Sequence, residues 1–159
     1  MNISFIHDLQ KTLISGEKFA FESVALDIFR YQSAYNKVYK QYIELLNIDV
    51  NKIVQISDIP FLPIECFKYH DVLTDFSHAV KVFQSSGTTS GTSHRSRHLI
   101  TQPDFYKAHS IRLFEHQFGT LANTALLCYV PSYHQNPDSS LLFMLQHFID
   151  SSQNEASGF

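Results

Sequence analysis

The sequence predicts an α/β fold: a helical N-terminal segment followed by a partly parallel sheet with flanking helices. Three observations point there. Apolar residues recur at helical spacing through most of residues 4–46. Two short β-branched or alternating runs, residues 79–83 and 97–101, bracket a stretch made only of hydroxyl side chains and glycines. After them, helical and extended patterns alternate to the end of the chain, the order expected of strand–helix units. The helical segment is residues 1–78 and the α/β portion residues 79–159. The two are expected to form one structural unit, an incomplete domain.

Residues 4–15 place Phe5, Ile6, Leu9, Leu13 and Ile14 near helical spacing, and Ser15-Gly16 punctuates the run. Residues 21–46 read as a long amphipathic helix broken near Asn36. Its apolar and aromatic positions, among them Leu26, Phe29, Tyr31, Tyr39 and Tyr42, crowd one side and predict core packing rather than a ligand box. Residues 47–64 form a connector with a short turn that Ser57 or Asp58 would cap. Pro60 and Pro63 hold it extended, and Pro63 opens a short helix through Glu65, Cys66, Phe67 and Lys68. Residues 71–78 return to loop.

Past the hairpin-like pair, Thr101 is expected to cap a helix with Pro103 and Asp104 in its first turn and Gly119 at its end. Phe105, Ala108, Ile111, Leu113, Phe114 and Phe118 would fill its buried side. The run Ala125-Leu126-Leu127-Cys128-Tyr129-Val130 predicts a buried strand. Ser139 or Asp138 would cap a last helix whose Leu141, Leu142, Leu145, Phe148 and Ile149 turn inward. In open α/β sheets ligands bind beyond the carboxyl ends of the strands, where residues 85–95 and 131–134 fall.

Residues 85–93 are the chemically distinctive segment. Glycines let backbone N–H groups approach an anion, and the hydroxyls add donors, so the loop is suited to wrapping phosphates. The alternative is a solvated hairpin loop, although its length exceeds the usual two to five residues. A Walker loop is excluded, because Gly87 and Gly91 are too close and no Lys follows. The Gly-x-Gly-x-x-Gly fingerprint is absent. So is the Gly-x-Ser-x-Gly elbow, because Ser90 stands one place too late, which argues against a covalent serine nucleophile.

Ser85-Ser86-Gly87-Thr88-Thr89 resembles the phosphate-loop signature of the adenylate-forming superfamily. That loop usually continues Gly-x-Pro-Lys. Here Ser90 precedes Gly91, and Thr92-Ser93-His94-Arg95 stands where Pro-Lys would be. The resemblance implies that Ser85, Ser86, Gly87, Thr88, Thr89, Ser90 and Gly91 hold the phosphates of ATP. It implies that Thr88 or Thr89 touches Mg²⁺, and that Arg95 replaces the lysine. Arg and Lys grip phosphate differently, as a fork and as a point charge. Downstream, Pro131-Ser132-Tyr133-His134 resembles the superfamily's Pro-x-aromatic-His element, which implies that Tyr133 and His134 line the acyl and carboxylate pocket. Arg95 and His134 are then the catalytic candidates.

Phe29-Arg30-Tyr31-Gln32 and Ile59-Pro60-Phe61-Leu62-Pro63-Ile64-Glu65-Cys66-Phe67-Lys68, followed by the serine loop, resemble one branch of that superfamily. It is the acyl-protein synthetases, or long-chain-fatty-acid–luciferin-component ligases. The resemblance implies an ATP-dependent ligase that converts a carboxylic or fatty acid to acyl-adenylate and passes the acyl group to a thiol, with an acyl-transfer partner protein. Family members are longer, and their adenine-binding motif, lid and acyl-accepting cysteine have no counterpart here. The chain therefore reads as the N-terminal part of such an enzyme, inactive by itself. The alternative is a non-catalytic nucleotide- or partner-binding module.

Composition sets outer bounds. The 159 residues are 44% hydrophobic, with 14 Phe, 8 Tyr and no Trp, enough for one aromatic core. A net charge of −3 and the lack of a basic run argue against nucleic-acid binding. The most cationic stretch is His94, Arg95, Arg97 and His98. Cys66 and Cys128 sit in apolar contexts and are expected to pack as small hydrophobes. No zinc-type spacing is present. No basic segment followed by an apolar one opens the chain, and no apolar run approaches a membrane span, so a cytoplasmic protein is expected.

Overall fold

The computed structural model describes residues 3–74, 78–85 and 95–159, with side chains from Phe5 onward. Helix α1 (Ile3–Ser15) is followed by α2 (Phe21–Tyr35) and α3 (Lys37–Leu45). The expected break falls at Asn36, for a physical reason. Its backbone is extended at φ −95° and ψ 109°, and its side-chain oxygen accepts from the Tyr39 N–H at 3.1 Å to cap α3. Its own N–H donates to the Gln32 carbonyl at 2.9 Å and completes α2. Asn36 is also buried, and its amide donates to Gln32 Oε1 at 3.1 Å and to Thr74 Oγ1 at 3.3 Å. The helix break is thus tied to the segment that follows α4 (Cys66–Tyr69).

The aromatic stripe builds a core, as its spacing requires. Phe29, Tyr39 and Ile43 are buried together, with Tyr42, Ile48, Val50, Ile53, Ile59 and Leu62 packed against them. Phe29 meets Tyr39 edge-on at 6.2 Å. The Tyr39 hydroxyl donates to the Pro60 carbonyl at 2.6 Å. Burial, with Tyr42 adding to it, pushes the Tyr39 phenol up to about 12. The connector winds through two 3₁₀ turns, Val50–Lys52 and Ile56–Asp58. Asp49 caps the first, whereas neither Ser57 nor Asp58 caps the second, which starts from Gln55. Pro63 opens the turn that leads into α4 (Cys66–Tyr69), its carbonyl accepting from the Cys66 N–H at 3.0 Å.

Strands β1 (Lys81–Gln84) and β2 (Arg97–Ile100) pair antiparallel in the register Lys81↔Ile100 to Gln84↔Arg97. This corrects the expected partly parallel sheet: among the described residues the sheet has two strands and both run antiparallel. Residues 125–130 form no strand within it. Leu127 makes an isolated parallel bridge to Gly158, and the Cys128 N–H donates to the Gly158 carbonyl at 2.8 Å. Leu127 is 81% exposed and Tyr129 fully exposed. An apolar composition favours extended backbone, but a strand also needs a ladder partner. Here the turn at residues 154–158 takes the backbone groups instead.

Helix α5 (Pro103–Phe118) begins with Pro103 at its first position and Asp104 in its first turn. Its N-cap is Gln102 rather than Thr101. Gly119, at φ +89°, ends it. Its apolar side is not filled as expected: no α5 residue is fully buried, and Leu113 and Phe118 are 55% and 73% exposed. Helix α6 (Ser140–Ser152) is capped by Ser139, whose hydroxyl accepts from the Leu142 N–H at 3.3 Å. Leu142 and Phe148 are buried, Leu145 and Ile149 partly so, whereas Leu141 is half exposed. Phe114 and Phe148, 5.2 Å apart, join α5 to α6. Arg112 joins α5 to α1 by donating to the Ile14 carbonyl at 3.3 Å.

Candidate functional site

The β1–β2 hairpin positions the serine loop at one end. Beyond the last paired residues the ladder continues by one step, the Ser85 N–H donating to the Ser96 carbonyl at 3.0 Å. The Ser96 N–H in turn donates to the Ser85 hydroxyl at 3.1 Å, and Ser96 is buried. These bonds close the neck of the loop and engage the Ser85 oxygen as a structural acceptor. Ser86, Gly87, Thr88, Thr89, Ser90 and Gly91, with Thr92 to His94, lie outside the described residues. Arg95 emerges from the neck exposed to solvent.

The Pro131–His134 element is brought to the same hairpin. The Gln84 N–H donates to the Asp138 carbonyl at 2.9 Å, and its side-chain amide to Asp138 Oδ2 at 3.4 Å. This fixes the downstream loop at the strand end that leads into Ser85. Tyr133 packs edge-on against Phe143 of α6 at 5.8 Å. His134 is exposed, its ring 6.4 Å from that of Tyr133. The two expected halves of the site, the loop neck and Tyr133, therefore meet through β1. His134 remains on the rim.

Sequence reasoning missed Lys81. Its ammonium lies 5.5, 5.4 and 5.4 Å from the ring centres of Phe83, Tyr133 and Phe143, within cation–π range of each. The signal was legible: the period of two along β1 puts Lys81 on the face of Phe83. Phe83 is buried and packs against Tyr106 at 5.7 Å and Phe143 at 5.3 Å. The Tyr106 hydroxyl donates to the Ser140 carbonyl at 3.3 Å, and burial pushes its phenol above the ordinary value. Nearby on α6, burial, reinforced by Lys107, holds His147 below the usual imidazole range.

Other expected groups sit away from this cluster or do little chemistry. Cys66 and Cys128 are free and half-buried, and burial pushes the Cys128 thiol up, away from the reactive thiolate. Arg97 pairs with Asp71 at 2.8 Å, and His98 stacks on Phe67 at 5.0 Å, so both belong to the packing of β2 on α4. Among the described residues no group of three or more His, Cys, Asp or Glu side chains could hold a metal ion. Nor is any described helix long and apolar enough to cross a membrane.

No curated protein and no solved structure matches the chain. Residues 12–110 match the family described as acyl-protein synthetase, LuxE. The matched stretch spans α2, α3, the connector, both strands and the first half of α5, whereas Tyr133, His134 and Phe143 lie beyond it. More than half of the chain is covered, and on that ground the protein belongs to the LuxE acyl-protein synthetase family.

Proposed function

We propose that this chain carries the phosphate loop and acid-binding half of an ATP-dependent acyl-activating ligase. The observation that carries the reading is the hairpin neck: Gln84, Ser85 and Ser96 bind the serine loop and the Tyr133 loop to one strand end. Membership of the acyl-protein synthetase family supports the reaction class. Loop N–H and hydroxyl groups of Ser86, Gly87, Thr88, Thr89, Ser90 and Gly91 would hold the outer phosphates. Arg95, at the loop exit, would grip the leaving pyrophosphate. Mg²⁺ would arrive on the nucleotide, with Thr88 or Thr89 touching it. It would neutralise phosphate charge.

The chemistry asked of the protein is positioning and charge stabilisation. The acid is already ionised and attacks the α-phosphorus, and pyrophosphate departs as an anion, so no strong base is required. Tyr133 and His134 would orient the carboxylate. Transfer of the acyl group from the adenylate to a thiol, on a partner protein or elsewhere, completes the proposed reaction.

Thr88→Ala and Thr89→Ala test the loop. Each is expected to lower acid-dependent ATP–pyrophosphate exchange by about 100-fold, the scale of losing one donor to developing charge, while the melting temperature stays put. Equal, small effects on both readouts would mark a solvated hairpin loop.

A further inference from the structure

Three cavities among the described residues divide by chemistry. Two are apolar grooves, one of about 690 Å³ between the end of β2, α5 and α6, the other of about 680 Å³ between α1, α2 and the connector. Neither has an Asp, Glu, Lys or Arg side chain in its wall. The third, of about 290 Å³ between α4 and β2, is the reverse. Lys68, Tyr69, His70, Asp71 and Arg97 line it, and each carries a polar or ionisable side chain. Its two cations come from different elements, Lys68 from α4 and Arg97 from β2. The stack of His98 on Phe67, with ring centres 5.0 Å apart, holds those elements together. Arg97 Nη1 lies 2.8 Å from Asp71 Oδ1, a pair that orients the guanidinium and leaves other N–H groups of its fork for a second acceptor. Lys68 has no carboxylate within ion-pair distance among the described residues. The wall therefore sets two cations against one carboxylate.

We propose that this cavity binds a compact, multiply charged phosphate group at a site separate from the serine loop. The Lys68 ammonium and the unused side of the Arg97 fork hold the phosphate oxygens, and Asp71 keeps the fork in place. Charge selects the class of anion. Attraction to a wall with a surplus of one positive charge grows in proportion to the charge of the ligand, so a dianion is held better than a carboxylate. Size selects within that class. Drug-sized ligands occupy about 300–1,000 Å³, so a cavity of about 290 Å³ suits phosphate, pyrophosphate or the head of a phosphate monoester rather than a whole nucleotide. The phosphate is either a free anion or a monoester on a larger molecule, and both present the same oxygens. No residue of the loop neck lines the cavity, although Arg97 directly follows Ser96, whose N–H and carbonyl close that neck. The site goes beyond the acyl-activating reading and stands without it.

The test is calorimetric titration of inorganic phosphate, pyrophosphate, methyl phosphate, dimethyl phosphate and acetate at about pH 8, where a phosphate monoester is a dianion. The host is the protein carrying Thr88→Ala and Thr89→Ala, which removes loop donors and leaves the α4–β2 cavity untouched. The multiply charged phosphates are expected to bind, and the monoanions dimethyl phosphate and acetate to bind more weakly. In that host, Lys68→Gln and Arg97→Gln should each weaken the phosphates about three- to tenfold, between the scales of an exposed ion pair and of a hydrogen bond to a charged group. Lys68→Arg should restore binding, Asp71→Asn should tighten it by removing the repelling carboxylate, and added salt should weaken it. Methyl phosphate binding as well as phosphate identifies an esterified ligand, whereas a preference for phosphate or pyrophosphate identifies a free one. Thermal melts of each variant separate misfolding from lost binding. The assignment is overturned if the phosphates bind the parent protein but not this host, which would place them in the serine loop alone, or if they bind neither. It is equally overturned if acetate binds as tightly as phosphate, if folded Lys68→Gln and Arg97→Gln proteins bind normally, or if Asp71→Asn weakens binding.

Discussion

The α2–α3 region and the hairpin–α5–α6 region spend similar aromatic residues in opposite ways. In the first, Phe29, Tyr39 and Ile43 are buried against one another, and the Tyr39 hydroxyl and the Asn36 amide are bonded inside the fold. In the second, Phe118 is 73% exposed, Tyr129 is fully exposed, and Lys81 lies among rings with no acidic partner among the described residues. A region that satisfies its own groups contributes stability. One that leaves an apolar groove and an uncompensated charge has surface for a ligand.

That contrast is broken most directly by truncation. Phe29→Ala is expected to cost about 3–5 kcal/mol in denaturant unfolding, because the removed ring leaves a cavity in a closed core. Phe118→Ala, an equal truncation on an exposed face, should stay within about 0.5 kcal/mol. Comparable losses at the two positions would mean that α5 is packed after all. Asn36→Ala should follow at about 1–2 kcal/mol, combining the lost cap with the lost amide hydrogen bonds to Gln32 and Thr74.

The helix break at Asn36 was legible because one residue type serves both as cap and as interruption. The stripe Phe29, Tyr39 and Tyr42 was legible because its spacing has one helical solution. The runs flanking the hydroxyl-rich segment were legible as strands, and they pair as β1 and β2. What failed was pairing. Residues 125–130 have strand composition, yet which backbone a run pairs with is a tertiary fact, and here the turn at 154–158 wins. The inner face of α5 failed for the same reason: periodicity says which side is apolar, not what covers it. Motif resemblance pointed to Tyr133 and passed over Lys81, whose ring contacts depend on α6 bringing Phe143 across.

Smaller effects sharpen the comparison. Ser139→Ala removes the cap of α6 and should cost about 1 kcal/mol. The Tyr39 phenol is raised to about 12 in the fold, so the folded state holds its proton longer than the unfolded chain. The stability this provides is complete below pH 10 and is lost as pH rises towards 12. Tyr39→Phe should therefore flatten the alkaline limb of a stability–pH profile, and an unchanged limb would show that the phenol is not buried in solution.

The central claim is acid activation with ATP, and the most direct measurement is ATP–pyrophosphate exchange in the product of the whole reading frame, with and without a series of fatty acids. Exchange that requires the acid and strengthens with chain length is the predicted result. Exchange indifferent to acid, or none with any acid, would contradict the account and leave a binding module in place of a ligase.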